Sequence, residues 1–512
     1  MNSIFLTALI FAPLLGILVL LITPKTNVEA IKIVGFLATL PSLILALIAF
    51  WQYKAGAGLE QYAVKLEWIT FGNKDLTDEM YGAQVYQPIS YELGINGFSL
   101  VMILLTAVLS TLAAIASIHV KKEWKGYFIL FLLLQIGMLG VFAAENLLLF
   151  FFFFELTLIP MFFLIGKWGY FEKESAAYRF LIYNGLGSAI LLIVFVVLFT
   201  KTGTMNIAEI TAMFNGNSDA MFLGEVSDDL RMGLLIALLV AFGIKLPIVP
   251  LHSWMLKVHV QAPPSIVMLH AGVLLKIGAF GLIRFGVGIF PEQFDQLAFI
   301  LAILGVVNLL YGAFLALIQT DFKMVLAYSS ISHMGIVLIG LAALNEAGIQ
   351  GAIFQVVSHG FIAALLFFLI GVMYERTGTT DIGKLGGLAK AMPLTAGFFL
   401  VGAMASLGLP GMSGFVSEFL AFMGLFKEMP VVAAVGTLGI ILTAAYLLRA
   451  VLGMTFGTKA AGYSEKVVDL RGIEYVPVFA MLFFIVLIGV YPSILAQPLQ
   501  DTINAIILGI GG

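Results

Sequence analysis

The chain has 512 residues, 61% of them hydrophobic, no cysteine, and 26 basic against 29 acidic side chains, for a formal net charge of −3. Charged residues make up 11% of it, whereas a soluble domain carries roughly 25%, so too little polar surface exists to wrap this much apolar mass in water. The same shortage excludes disorder. The missing cysteine removes disulfides, thiolate nucleophiles and Cys-ligated iron–sulfur or zinc sites, and the near-balanced charge leaves no footprint for nucleic acid.

What remains is an all-α polytopic membrane protein. A spanning helix takes about 20 mostly apolar residues. Windows of that kind predict about fourteen spans, in chain order 3–22, 31–53, 95–119, 126–143, 147–166, 179–200, 231–252, 264–287, 294–318, 324–344, 349–374, 393–426, 430–456 and 475–495. Runs such as LLLFFFFFELTLIPMFFLIG are apolar all round, unlike the alternating strands of a membrane barrel. No Lys or Arg precedes Lys25, so the first span is expected to be a retained helix rather than a cleaved signal. Two outer segments, about 54–94 and 201–230, lack the composition of a catalytic domain. No Gly-rich loop follows a strand, so no nucleotide is expected to bind.

Basic loop residues set orientation. With the N-terminus outside, sixteen Lys and Arg, including Lys257, Lys459 and Lys466, fall in cytoplasmic loops and seven fall on the other side, so an N-out topology is predicted.

An ionisable residue inside a span is costly and is a functional candidate by default. Glu155 sits mid-run in FFFFELTLIPMFF, as a carboxylate paired with a buried cation or as a protonated carboxyl bonded to a neighbouring helix. Glu145, near the start of the same span, reads as an interfacial cap. Lys245 lies in AFGIKLPIVPLHSW, where Pro247 and Pro250 break the helix and freed backbone groups can line a cavity; snorkelling is the plainer alternative. Lys276 is near the middle of span eight and suits a reversible proton carrier. His270, six residues earlier, is turned from it by roughly 120° on an α-helix, and either lines the same cavity or fills an interface. His333 and His359 stand mid-span as a proton relay or as packing residues. No third ligand accompanies them, so no metal site is expected, and haem ligation is disfavoured.

Glu418 follows Pro410 and Gly411 in LGLPGMSGFVSEF, a second interrupted helix. Two broken spans, seven and twelve, each carrying a charge, point to an internal repeat. They are five spans apart, an odd number, which implies two inverted five-helix repeats, spans 4–8 and 9–13. The expected units are 1–119 (spans one to three with an outer loop), 120–290 (first repeat), 291–456 (second repeat) and 457–512 (span fourteen).

The strings FFFFELTLIPMFFLIGKWG, AFGIKLPIVPLHSW, QAPPSIVMLHAGVLLKIGAFGLIRF, QTDFKMVLAYSSISHMG and LGLPGMSGFVSEF resemble the antiporter-like membrane subunits of respiratory complex I and their multisubunit Na⁺/H⁺ antiporter relatives. GVLLK at Lys276 together with Glu418 is similar to the M-type branch. About 17 residues follow span fourteen, so the long lateral helix of the L-type branch is not expected. The resemblance implies that Glu155 and Lys245 form a charge pair, that Lys276 connects it to a hydrated axis of His333 and His359, and that Glu418 ends the row. Asp321 and Lys323 fit a DFK-type loop or cap an interface.

The resemblance further implies a proton-translocating subunit of NADH:quinone oxidoreductase, with FMN, iron–sulfur clusters and quinone held elsewhere in the parent complex. Its partners would be L-like and N-like neighbours and lipid, in an energy-transducing membrane such as the bacterial inner membrane. The sequence departs from the family pattern at Leu256 and Lys257, where WLPDAH reads WMLKVH, at Pro264, and at His270, which replaces an apolar residue. Two other functions remain: a cation/proton antiporter subunit with no electron donor, and a passive scaffold whose charges dock neighbours.

Overall fold

In hydrocarbon, backbone N–H and C=O groups find partners only in one another, and helices satisfy them within one segment. The computed structural model describes residues 4–54, 56, 58–77, 84–218, 220–458 and 467–510. Lys459 and Lys466, which entered the orientation count, lie outside the described residues. Among those described, twelve helices are long and apolar enough to cross a membrane, from Phe5–Ile22 to Gly472–Val490.

Spans seven and twelve are not among the twelve, so unbroken helices do not reach the expected fourteen. Span seven is divided into Asp228–Lys245 and Ser253–Gln261. Span twelve is divided into Pro393–Ser406 and Ser413–Glu428. The interruptions contain Pro247 and Pro250 in one case, Pro410 and Gly411 in the other.

One long loop segment, between spans two and three, is built mainly on strands. Val64–Thr77 and Gln84–Leu93 form an antiparallel hairpin, a local correction to the all-α expectation. Its signal is visible in VKLEW, where Val64, Leu66 and Trp68 alternate with Lys65 and Glu67 at the period of a strand. In the other long loop segment a short helix, Ile207–Phe214, follows span six. Span fourteen is followed by a further helix, Ser493–Ile510, that packs back on span three: the Pro498 carbonyl lies against Gly97 so closely that a Cβ there would sit 1.6 Å from it.

Spans eight and eleven are buried along their whole apolar windows and spans three and ten nearly so, while spans one, two, six, thirteen and fourteen expose most of theirs. The polar positions of spans eight, ten and eleven are therefore held in the middle of the bundle. Spans eight and eleven approach closely at a glycine pair. A Cβ on Gly360 would sit 2.9 Å from the Gly272 carbonyl oxygen. That contact brings Lys276, one turn beyond Gly272, beside His359.

An internal repeat is written in backbone hydrogen bonds. Span six ends in Thr202-Gly203-Thr204 and span eleven in Thr377-Gly378-Thr379, with both glycines left-handed (φ 71° and 70°). After each, the chain folds back onto the start of the preceding hairpin. Asn206 bridges Asn146, and Asp381 bridges Asp321. Leu147 N–H donates to Met205 O (2.8 Å) as Phe322 N–H donates to Thr380 O (2.9 Å). The two copies are offset by 175 positions. Because that offset spans five membrane crossings, they lie at opposite ends of the bundle, as inverted repeats require.

Ion pairs between loops obey the predicted alternation. Arg284 pairs with Glu145 at 2.5 Å, Lys257 with Glu172, and Lys167 with Glu123. Each pair joins segments assigned to the same side of the membrane.

Candidate functional site

A buried cation is expensive unless something replaces its hydration. Lys276 is fully buried on span eight, and its Nζ lies 2.7 Å from His359 Nδ1 on span eleven and 3.8 Å from Met334 Sδ on span ten. The His359 and His333 rings follow, with centroids 5.5 Å apart. His333 Nδ1 is 3.6 Å from Glu418 Oε1 on the second half of span twelve. The structure thus brings Lys276, His359, His333 and Glu418 together in that order across four spans, which resolves the order of the two histidines.

His333 is positioned by groups that sequence reasoning missed. Ser417 Oγ donates to Gln355 Oε1 at 2.5 Å, which leaves the amide Nε2 to donate to His333 Nδ1 at 3.1 Å. A neutral His333 then carries its proton on Nε2, 3.1 Å from Ser406 Oγ. Nothing in SEFL or FQVV marks Ser417 or Gln355 as members of this network; only the packing of spans ten, eleven and twelve does.

Lys245 is the last residue of the first half of span seven and is 2% exposed. A helix C-terminus presents unpaired carbonyls and favours a cation. The break after it is held by Asn308 on span nine. Val249 N–H donates to Asn308 Oδ1 (2.6 Å), and Asn308 Nδ2 donates to Pro247 O (3.3 Å) and Ile331 O (3.2 Å). Trp254 Nε1 reaches back across the break to Ile244 O at 3.1 Å.

Glu155 is half-buried and within electrostatic reach of Lys245. They form no ion pair among the described residues. Lys245 Nζ instead lies 4.8 Å from the Phe154 ring and 5.8 Å from that of Phe180, and Glu155 Oε1 has no partner among the described residues.

The expected cap at Glu145 is corrected. Asn146 caps span five, its Oδ1 accepting from Leu148 N–H at 3.0 Å, and the Glu145 carboxylate is drawn to Arg284 near the end of span eight. Asp321 caps span ten through Met324 N–H (3.2 Å) and accepts from the Thr380 hydroxyl. Lys323 is buried in an aromatic slot, 3.9 Å from the Tyr170 ring and 4.8 Å from that of Tyr374. Both tyrosines line a cavity of about 410 Å³ shared with His119 and Glu375.

Of the departures from the family pattern, Lys257 has its own partner in Glu172, and Pro264 opens the helix of span eight against Gly371. His270 is not turned idly away. It is fully buried, and its Nδ1 is 2.9 Å from His259 Nε2. The 120° estimate assumed an α-helix, but residues 270–274 form a π-helical turn, which changes the angular step. His259, the final residue of WMLKVH, is a site neighbour that sequence reasoning passed over. Among the described residues no cluster of three or more His, Asp or Glu could hold a metal ion.

Residues 144–443 match the family described as NADH:quinone oxidoreductase/Mrp antiporter, TM. The chain is 37% identical over 98% of its length, and 91% of the relative's, to NAD(P)H-quinone oxidoreductase chain 4 1 of Synechococcus elongatus. It is 39% identical to NADH-quinone oxidoreductase subunit M of Rhodobacter capsulatus over 80% of each chain. A chain of respiratory complex I from Thermus thermophilus has the same fold, with a TM-score of 0.84 and 29% identity over 99% of this chain and 100% of that one.

Proposed function

Because this chain belongs to the NADH:quinone oxidoreductase/Mrp antiporter membrane family, in its subunit M/chain 4 branch, we propose that it translocates protons in the membrane arm of an NADH:quinone oxidoreductase. Protons pass along Glu155, Lys245, Lys276, His359, His333 and Glu418 while electrons move in other subunits. The single observation that carries this reading is the contact series from Lys276 Nζ to His359 (2.7 Å), on to His333, and from His333 to Glu418 (3.6 Å). Groups that exchange protons near neutral pH, held within contact distance in a dry bundle, form a path that water need complete only at its gaps. Asp321, by contrast, is occupied as a cap.

The parent complex supplies FMN, iron–sulfur clusters and quinone through other subunits; a chain without cysteine offers no thiolate for a cluster. The row ends laterally. Glu418 lines an apolar groove of about 500 Å³ with Phe415, Phe419 and Phe426, and half-buried Glu155 lies at the other end. We place L-like and N-like neighbours against these two ends. The protein sits in the bacterial inner membrane with its N-terminus outside, a reading supported by the loop-charge bias. Residues 120–290 and 291–456 act as the two repeat units, flanked by 1–119 and 457–512.

The test is Lys276→Ala in the intact complex, followed by NADH-driven acidification of inverted vesicles. The expected result is an assembled complex whose pumping falls by about tenfold or more. Wild-type pumping would overturn the row. Purification without any flavin- or cluster-bearing subunit, with Na⁺-driven activity, would instead assign the chain to an antiporter.

A further inference from the structure

Where spans two and eight end and span three begins, the short helix Ile207–Phe214 and the terminal helix Ser493–Ile510 wall a cavity of about 850 Å³. Ligand pockets commonly measure about 300–1,000 Å³. Two buried polar atoms of its lining residues have no partner among the described residues. Arg284, near the end of span eight, gives Nη2 to Glu145 (2.5 Å) and leaves Nη1 unpaired, with its side chain 10% exposed. Asn215, just after the short helix, donates Nδ2 to Gly288 O (3.0 Å) and leaves Oδ1 unpaired. Gly288 is four residues beyond Arg284, so the two open groups are held about one helical turn apart. One is a cationic donor and the other a neutral acceptor.

Charge narrows what fits between them. The charged side chains lining the cavity are Arg284 and three carboxylates, Glu145, Glu60 and Asp501. Glu145 is taken by Arg284, and Glu60 and Asp501 stand exposed at the rim. A simple anion would gain Arg284 but meet two carboxylates on entry, and a simple cation would meet the reverse. A zwitterion satisfies both, with its anionic end on Arg284 and its cationic end on the acidic side. Asn215 Oδ1 further requires a donor. A primary ammonium offers three N–H groups, whereas a quaternary ammonium offers none. The lining is also partly apolar: Ile506 and Leu508 of the terminal helix border it, Leu508 being 73% exposed, so the mouth accepts a hydrocarbon continuation of the ligand.

We propose that this cavity binds a phosphate ester bearing a primary ammonium, the chemistry of a phosphatidylethanolamine headgroup. A phosphate oxygen accepts from Arg284 Nη1, a charge-assisted bond of the stronger kind. The ammonium donates to Asn215 Oδ1, and Glu60 and Asp501 attract its charge. The occupant ties the terminal helix, already pressed on Gly97 through the Pro498 carbonyl, to the ends of spans three and eight. The site shares no residue with the proton row, so it stands or falls separately from it.

The experiment uses the intact complex in phosphatidylcholine nanodiscs holding a trace of phosphatidylethanolamine with a photoactivatable group on one acyl chain, which leaves the ammonium free. Illumination should label peptides from residues 207–217 and 498–509 in the wild type. Arg284→Gln and Asn215→Ala should each cut that labelling by about tenfold, as loss of one charge-assisted or buried hydrogen bond implies, while labelling of the lipid-exposed face of span six stays unchanged. The double variant Glu60→Gln/Asp501→Asn alters only exposed side chains, so it reads the charge requirement even if the buried variants fail to assemble; it should lower labelling severalfold. Unlabelled phosphatidylethanolamine should compete, and phosphatidylcholine and phosphatidylglycerol should not. Competition by soluble phosphoethanolamine as strong as by the lipid would keep the chemistry and assign the site to a free phosphate ester. Equal competition by phosphatidylcholine, full labelling in the double variant, or no labelling of the two peptides in the wild type would overturn the proposal and leave the open groups to water.

Discussion

The two broken helices carry their charges on opposite sides of the break. In span seven Lys245 closes the first half-helix, at the carbonyl end that favours a cation. In span twelve the charge comes after the interruption: Glu418 is the sixth residue of the second half-helix, and its carboxylate folds back so that a Cβ on Gly408 would meet Glu418 Oε2 at 2.8 Å. One break is stitched by a neighbour's amide, Asn308; the other turns on two left-handed glycines, Gly408 (φ 80°) and Gly411 (φ 89°). Inversion of a repeat thus preserves the interrupted helix while moving the charge across the gap and changing its sign. Each break gives the mid-membrane row one ionisable group, a base within it at span seven and an acid at its end at span twelve.

The largest effects are expected from removing proton exchange while keeping form. Arginine stays protonated in proteins, so Lys245→Arg retains the charge but cannot release a proton. If Lys245 carries protons, Lys245→Arg and Lys245→Ala should both reduce NADH-driven pumping by about tenfold; activity retained by Arg but not Ala would confine Lys245 to a fixed charge. Glu418→Gln should match it at the other break, and unequal losses would show which half of the repeat limits turnover.

Next comes the stitching. Asn308→Ala deletes two hydrogen bonds at the span-seven break and one to Ile331 O on span ten, and leaves buried backbone groups unpaired, a cost of about 1–3 kcal/mol. The solubilised complex should lose thermal stability, and span seven should become more accessible to labelling while span twelve does not. Gly408→Ala and Gly411→Ala both force a non-glycine residue into a left-handed turn, roughly 1–2 kcal/mol each. Only Gly408 also presses on Glu418; nothing lies within 4 Å of a Cβ at Gly411. Pumping should therefore fall further in Gly408→Ala than in Gly411→Ala, and equal losses would mean that the Glu418 contact is incidental.

How much of this was legible in the chain depended on whether one position or a pairing carried the signal. Charges in apolar runs and prolines in long helices announce themselves locally, so Lys245, Lys276, Glu418 and both interruptions stand out in the sequence. The hairpin was legible too, in the alternation of VKLEW, but was masked by the overall hydrophobicity. Partners were not legible. Glu145 looks like a cap until Arg284 is seen across from it, and Asn308 looks like one more residue of an apolar helix. The π-helical turn at 270–274 has no proline or charge to mark it, so the angle assigned to His270 carried the wrong geometry. The Thr-Gly-Thr turns ending spans six and eleven are short enough to pass as coincidence until their hydrogen bonds prove the same.

The smallest expected effect lies where the second half-helices reach the surface. The end of span twelve is tied by Asn345, whose Nδ2 donates to Gly424 O (2.9 Å) and Glu428 Oε1 (3.1 Å). The end of span seven is tied by an ion pair, Lys257 with Glu172, and by Gln261 Oε1, which accepts from Glu172 N–H at 2.9 Å. Lys257 holds the Glu172 carboxyl below the usual carboxylate range, its hydrogen bond being the main cause. A carboxyl depressed by folding contributes stability above its ordinary value and loses that contribution as pH falls through the depressed one. The wild type should therefore exceed Glu172→Gln in thermal midpoint by a small margin at neutral pH, and the margin should vanish on acidification below the carboxylate range. Because both side chains face water, high salt should erase most of the difference at neutral pH. Asn345→Ala loses one bond to the Gly424 carbonyl and one to the Glu428 carboxylate, so its loss should depend on pH and salt less than that of Glu172→Gln. A pH- and salt-independent loss in Glu172→Gln would mean that span seven is tied there by the hydrogen bond of the Glu172 backbone N–H to Gln261 rather than by charge.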